Sequence, residues 1–477
     1  MHISEALQKA IRHFFMHEPT LEQQKLIDEL VDFYCQSDEY GAFILSGYAG
    51  TGKTTLLSAF VQGLHSLKRK TILLAPTGRA AKVFSQQSKM TALTIHKKIY
   101  RKETVAGGGV RLALCPNLHT NTIFLVDEAS MIGDYTMSSD GGINPRNLLE
   151  DCIEYVYSGK NCKLIFIGDD AQLPPVGADF SPALQLKYLS SNFPKLNLQK
   201  FQLKNVLRQA DDSDILRNAT KLRSAKDGAF PNFTLRKNKG MMRIDGGELQ
   251  DCLESAFGSN SDETIVITRS NKRANLFNQQ IRGRILWMEE RINSGDKLMV
   301  VRNNYFWLDD KSQAGFIANG EMILVERLYR QETLYGFDFV DARIKLIDYP
   351  EMGSVEVKLM LNTLEEETPN LSREKMKALF FAIEEDYSWE KNKRKRYEKI
   401  MSDPYFNALQ IKFAYAITCH KSQGGQWENV FIDQGYLVED MLDRNYFRWL
   451  YTALTRATEH VWLLNFDNAF FKENEEE

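Results

Sequence analysis

The sequence holds no apolar run near the roughly 20 residues needed to cross a bilayer. The segment from Met1 to Phe15 lacks the apolar stretch and small-residue cleavage site of a secretory signal. A basic surplus is missing too. The formal net charge is −3 over 477 residues, so any affinity for nucleic acid must come from local sites. Six cysteines are scattered at positions 35, 115, 152, 162, 252 and 419, with no C-x-x-C pair. That spacing speaks against a zinc or disulfide framework and for a reducing cytoplasm. No internal repeat, long low-complexity linker or recognisable nuclease cluster is present.

What is present is a sizeable apolar fraction, 43%, in a chain long enough for about three domains. Short apolar runs read as buried strands: Ala42–Leu45, Thr71–Leu74, Ile123–Val126, Lys163–Ile167, Thr264–Ile267, Val430–Ile432 and Val461–Leu464. Amphipathic stretches separate many of them. That alternation predicts an α/β fold with parallel sheets covered on both faces. The runs cluster before and after about residue 200, which predicts two such domains. From about Gly295 to Met360 the rhythm changes to short strands with turn signals, the pattern of a small all-β insertion. Glu374 to Lys399 reads as a charged helix with a basic run, Lys391, Lys393, Arg394, Lys395 and Arg396. Such a run is either a solvated helix face or a nucleic-acid contact.

The octapeptide Gly47-Tyr48-Ala49-Gly50-Thr51-Gly52-Lys53-Thr54 satisfies G-x-x-x-x-G-K-[ST]. A strand precedes it and a helical pattern follows. Its glycines let backbone N–H groups close around phosphates, Lys53 supplies a cation to the outer phosphates, and Thr54 offers a hydroxyl to Mg2+. Gly47, Gly50, Thr51, Gly52, Lys53, Thr54 and Thr55 are therefore the candidate ATP-binding residues, backed by the positive end of the following helix. The run Ile123–Val126 ends in Asp127-Glu128. Asp127 is placed to hold the Mg2+ shell, and Glu128 to accept a proton from the attacking water. A third strand end, Gly168-Asp169-Asp170-Ala171-Gln172, carries an amide that can sense the γ-phosphate. Read alone, it is also a plain turn closed by Pro174 and Pro175.

This series of motifs resembles superfamily one helicases, and within them the RecD/Dda-like branch, from about Thr20 to Asn465. Thr20-Leu21-Glu22-Gln23 resembles the glutamine motif that reads adenine, with Gln24 as a competing candidate. Ala75-Pro76-Thr77-Gly78-Arg79-Ala80-Ala81 and Thr94-Ile95-His96 resemble strand-contacting motifs, which makes Pro76, Thr77, Thr94 and His96 candidate DNA contacts. Thr268 is another, with a capping hydroxyl as the alternative. Ala416-Ile417-Thr418-Cys419-His420-Lys421-Ser422-Gln423-Gly424 resembles the motif that contacts the DNA backbone, through Thr418, His420, Lys421 and Ser422. Leu207-Arg208-Gln209 and Tyr451-Thr452-Ala453-Leu454-Thr455-Arg456-Ala457 resemble the motifs that deliver arginines to the γ-phosphate. Lys53, Glu128, Gln172, Arg208 and Arg456 are thus the candidate catalytic set.

The resemblance implies two RecA-like domains, at 1–200 and at 201–295 with 411–477. It implies an SH3-like β insertion with the charged helical segment at 296–410, and a strand-separating pin at about 100–121. It further implies a cytoplasmic, monomeric ATP-dependent DNA helicase using ATP and Mg2+. The motor would track single-stranded DNA 5′-to-3′ and act at DNA forks, with no membrane partner. Gly107-Gly108-Gly109 replaces the aromatic expected of a base-stacking pin. The alternatives are a P-loop nucleotide switch that does not unwind, and an RNA helicase.

Overall fold

The computed structural model describes residues 3–104, 110–134, 147–207, 213–237, 239–309 and 312–471. Two helices open the chain, α1 (Ile3–Phe14) and α2 (Leu21–Cys35). A β/α succession follows: β1 (Gly41–Gly47), α3 (Lys53–Ser66), β2 (Lys70–Ala75), α4 (Gly78–Ser88), β3 (Ala92–Thr94) and α5 (Ile95–Ile99). A hairpin, β4 (Tyr100–Thr104) with β5 (Val110–Leu114), interrupts it. Then come β6 (Thr122–Val126), α6 (Leu148–Tyr157), β7 (Lys163–Gly168), α7 (Leu186–Asn192) and β8 (Asn197–Leu203).

Six of these strands form one sheet in the order β3-β2-β6-β7-β1-β8, every pair parallel. Side chains alternate across it with a period of two. Phe43, Leu45, Leu73, Leu125 and Ile165 join a layer with Leu26, Leu30, Phe60 and Leu64 of the helices. Ile44, Leu74, Phe124, Leu164 and Phe166 join the opposite layer with Ile99, Leu149 and Ile153. Burial on both faces explains why these strands read as unbroken apolar runs. Because β1, β6 and β7 are neighbours, their carboxyl ends bring residues 47–53, 127–128 and 168–172 to one edge.

The second body starts with α8 (Asp214–Ser224), β9 (Met241–Ile244), α9 (Leu249–Asn260), β10 (Thr264–Thr268) and α10 (Asn271–Gln280). The chain then leaves into a closed barrel of β11 (Lys297–Val300), β12 (Met322–Leu334), β13 (Phe337–Leu346), β14 (Ser354–Met360) and β15 (Leu409–Phe413). Leu298, Val300, Ile323, Val325, Val340, Ala342, Leu359 and Ile411 fill its interior. The β12–β13 turn places Tyr335 and Gly336 at φ of 55° and 75°, the left-handed pair that a tight hairpin turn requires. The barrel is stapled at its exit and return. Arg282 donates from Nε and Nη2 to Asp296 at 2.7 and 2.8 Å. The Asn278 amide bonds the backbone of Phe413, Tyr415 and Ala416.

The charged segment read as one helix is two, α11 (Arg373–Asp386) and α12 (Lys393–Met401). They bury Leu379, Ile383 and Ile400 against Phe337 and Phe339 of the barrel. Its basic run is largely a solvated face. Lys391, Lys393 and Lys395 are exposed, while Arg394 and Arg396 pair with Glu398 and Glu384 at 3.1 and 3.2 Å. After the barrel come β16 (Ala416–Thr418), α13 (Cys419–Ser422), β17 (Trp427–Asp433), α14 (Arg444–Leu454) and β18 (Ala457–Leu464). They complete a second parallel sheet in the order β16-β10-β17-β18-β9.

Two expected boundaries move. The first sheet runs to Leu203 rather than 200, because β8 is its edge strand. The barrel runs to Phe413 rather than 410, because β15 closes it. Among the described residues no helix is long and apolar enough to cross a membrane.

Candidate nucleotide and strand-binding site

The loop between β1 and α3 turns on Gly50 and Gly52, at φ of 78° and 79°. A side chain at Gly52 would also lie 2.7 Å from Gln23 Nε2, so both conformation and space demand glycine. Lys53 opens α3, and its ammonium donates to the carbonyls of Gly47 and of Tyr48, the latter at 3.0 Å. Thr54 is half-buried one residue on, and Thr55 is exposed.

Gln23, 2% exposed, braces this loop. Its amide oxygen accepts the Thr20 N–H at 3.0 Å, closing a capping box on α2. Its Nε2 donates to Thr51 O at 3.2 Å. The amide expected to read adenine is thus engaged with the chain itself. Gln24 turns the other way, to Asp28 and Arg12.

Asp127 and Glu128 follow β6. Burial, and then the neighbouring Glu128 carboxylate, push the Asp127 carboxyl up to about 7, against the Glu128 N–H and Lys53, which favour its anion. The Asp127 carboxylate accepts the Glu128 N–H at 2.9 Å. Glu128 itself sits at φ 51°, an uncommon conformation for a side chain larger than glycine and typical of functional sites. Gln172 is buried, and its side-chain oxygen has no partner among the described residues.

The second body closes over this edge. Arg456, 3% exposed, points Nη1 at Glu128 Oε1 from 4.0 Å. Its guanidinium is held by the carbonyls of Thr452 and Gly425 at 3.1 and 3.2 Å. Arg223 lies over the Tyr48 ring at 3.9 Å. Gln423 Nε2 donates to Leu173 O, and Thr452 Oγ1 accepts Leu173 N–H, both at 2.8 Å. Arg208 falls outside the described residues, so its expected place beside Arg456 stays an expectation from sequence.

The family described as "AAA domain" matches residues 22–244, and that described as "UvrD-like helicase C-terminal domain" matches residues 413–464. The ATP-dependent RecD2 DNA helicase of Deinococcus radiodurans is 28% identical over 92% of this chain and 48% of its own length. The ATP-dependent DNA helicase dda of Enterobacteria phage T4 is 25% identical over 63% of this chain and 64% of its own. Both matched regions and both relatives are similar to superfamily one helicases. The chain spans about half of RecD2 and under two thirds of Dda. A solved structure of Pif1 helicase from Bacteroides with ADP-AlF3 and ssDNA covers 95% of this chain and 94% of that one, at 14% identity and a TM-score of 0.47.

The strand-contact candidates divide into open and closed sets. Pro76, Thr77, His96, Thr418, His420 and Lys421 keep part of their surface. Burial lowers the Lys421 ammonium to about 8 and pushes His420 down as well. His96 lies between the rings of Tyr100 and Phe316, and burial drops its imidazole to about 4. Thr268 and Ser422 are 0% exposed. Their hydroxyls donate to Ser270 O and Cys419 O at 3.0 and 2.8 Å, so they build turns and present nothing to a strand. Thr94 is buried as well, as the cap of α5.

Sequence reasoning missed the residues that join the two bodies. Arg79, inside a motif read as strand-contacting, stacks on Trp427 at 4.0 Å and donates to Gln426 O at 2.9 Å. Tyr451 and Thr452 lie in the stretch Tyr451–Ala457, in which sequence alone singles out only Arg456. Their role depends on partners hundreds of residues away, which no local pattern encodes.

Proposed function

We propose that this chain is an ATP-driven motor of the RecD/Dda-like branch. It moves 5′-to-3′ along single-stranded DNA and separates duplex at forks. The observation that carries the reading is the pairing, across two parallel-sheet bodies, of Arg456 with the Asp127-Glu128 end of β6 beside the phosphate loop. The names borne by the RecD2 and Dda relatives support the substrate and the coupling to ATP.

In this mechanism the loop 47–52 cradles the phosphates with backbone N–H groups, and Lys53 leaves its own loop carbonyls for the outer phosphates. A Mg2+ ion fits the donor set, since Asp127 is a carboxylate held in a buried, negative setting and Thr54 offers a hydroxyl beside Lys53. When bound, it neutralises charge on the phosphate oxygens. Glu128 takes the proton of the attacking water. Arg456 stabilises charge on the transferring group as the bodies close. Gln172, whose buried oxygen has no partner among the described residues, is the group placed to register the γ-phosphate. Opening after hydrolysis shifts the grip of the two bodies on the strand in turn. The chain works as a monomer. Its six free cysteines suit a reducing compartment such as the cytoplasm.

The test pairs two assays. ATP hydrolysis should rise at least about tenfold with a single-stranded DNA oligomer, and more than with an RNA of matched length. Strand displacement should occur on 5′-tailed and not on 3′-tailed duplexes. Hydrolysis indifferent to any nucleic acid would make the chain a nucleotide switch, and unwinding only of 3′-tailed duplexes would reverse the polarity.

A further inference from the structure

Tyr451 belongs to the second body, and its ring lies in that body's core, 2% exposed. Its hydroxyl is bonded to the first body. It accepts the Ala49 N–H of the phosphate loop at 2.9 Å and donates to Asp169 Oδ2 at 2.6 Å. We propose that Tyr451 is a positioning residue for ATP hydrolysis: its hydroxyl ties the phosphate loop and the Gln172 turn to the helix that delivers Arg456.

The geometry is a clamp with two adjacent residues as its jaws. Tyr451 holds Asp169 at one end of the turn, and Thr452 holds the Leu173 N–H at the other, with Gln172 between them. The second Asp169 oxygen closes the turn on the Ala171 N–H at 2.9 Å. Both jaws sit on α14, and Arg456 follows that helix directly, its Nε fixed to Thr452 O. The turn and the arginine therefore move as one piece in the closed arrangement.

Separation of the bodies takes from the Ala49 N–H and the Tyr451 hydroxyl their shared bonds and leaves Asp169 with the Ala171 N–H alone. Bonds that share one hydroxyl are coupled, so the set forms or breaks as a unit. Arg456 reaches Glu128 only when it is formed. A group that stabilises a transition state loses much of its effect when displaced by about 1 Å. Tyr451 thus sets the register of the arginine without touching the nucleotide phosphates itself.

The inference rests on the ATPase reading above and is tested on the full chain. Tyr451→Phe keeps the ring and its packing. With saturating single-stranded DNA, kcat should fall about tenfold, the loss expected of one charge-assisted hydrogen bond in a coupled network. KM for ATP should change less than about threefold, since ground-state phosphate contacts remain. Asp169→Asn is the second variant. Because both changes remove the same bond, the double variant should be no slower than the slower single one. Retention of kcat within about twofold in Tyr451→Phe, or multiplication of the two single effects, overturns the proposal. A melting temperature measured on each variant separates a slow folded enzyme from an unfolded one. If the wild-type ATPase ignores DNA, the motor reading fails. The same cycle, read on the unstimulated kcat, then still decides the role of Tyr451.

Discussion

Two carboxyl groups, Glu321 and Asp348, are buried together where the barrel meets the start of α4. Glu321 fills the space beside Gly78, where an added Cβ would overlap its carboxylate. One oxygen of each acid has no hydrogen-bond partner among the described residues. Lys82 approaches Asp348 at 3.7 Å, and Arg79 adds a second cation that favours the Asp348 anion. Burial, and then Asp348, drive the Glu321 carboxyl well above its ordinary range. The sign follows from proton counts. In the window between the ordinary and the raised value the folded chain holds more protons than the unfolded one, so stability falls as pH rises. Wild-type protein should therefore melt higher at pH 6 than at pH 8. Glu321→Gln should lessen that slope, leaving the share that Asp127 contributes in the same window, and gain about 1–3 kcal/mol at pH 8, the typical penalty of a buried unsatisfied charge. Thermal melts at both pH values check this. An unchanged slope would mean that the pair is solvated.

At the scale of elements, the hairpin of β4 and β5 is anchored to the first sheet. Its base is built into the first body: the Tyr100 hydroxyl donates to Asp151 at 2.6 Å, the Cys115 N–H donates to Ile99 O at 2.7 Å, and Leu112 and Leu114 pack on the core. Five pairs, from Tyr100 with Leu114 to Thr104 with Val110, make it a regular antiparallel ribbon. The expected tip, 106–109, lies outside the described residues. The ribbon leaves the body just after His96, so it projects from beside a strand-contact candidate. Replacing residues 102–111 with a Gly-Ser turn spares Leu112, Leu114 and the base. DNA-stimulated ATPase should stay within about twofold, while unwinding per ATP should fall at least about fivefold, because translocation and duplex separation are separable tasks. Unwinding per ATP at the wild-type value would make the ribbon a loop decoration. This hairpin was legible from its position between motifs, as were the seven strands buried on both faces. Others were not. β8 is an edge strand with apolar residues at Leu198, Phe201 and Leu203, of which only Leu203 is buried, and β3 and β16 have three residues each. Such strands carry too few apolar residues to announce a period. The helix read across Glu374–Lys399 breaks at 387–392 because α11 and α12 fold back on one apolar cluster, a constraint visible only in three dimensions. The phosphate loop was legible for the opposite reason, since all of its chemistry lies within eight consecutive residues.

For the whole molecule the decisive surface is the one between the two bodies, and Gly424 lies tightly packed in it. This residue has φ 74°. A Cβ there would stand 2.9 Å from the Ala80 Cβ and 3.1 Å from the Thr77 hydroxyl, both on the first body. The opposing atoms belong to the first turn of α4, whose backbone cannot yield without moving the strand-contact segment 76–79. Close by, Arg79 stacks on Trp427 and Gln423 donates to Leu173 O. Gly424 thus marks where the bodies must meet for Arg456 to reach Glu128. Gly424→Ala acts on two levels. Locally it places a side chain in a left-handed conformation, at roughly 1–2 kcal/mol. Globally it inserts a methyl group into the closed interface, which the molecule can relieve by opening. Opening leaves each sheet and each core intact. The melting temperature should therefore drop by no more than a few degrees, about what the local strain alone costs. The catalytic effect should be larger, because hydrolysis needs the closed arrangement: kcat should fall about tenfold or more, and KM for ATP should rise as closure ceases to support binding. A nucleotide analogue that compacts the wild-type chain in small-angle scattering should compact the variant less. Wild-type kcat and compaction in Gly424→Ala would show that the bodies come together elsewhere and that this contact is incidental to turnover.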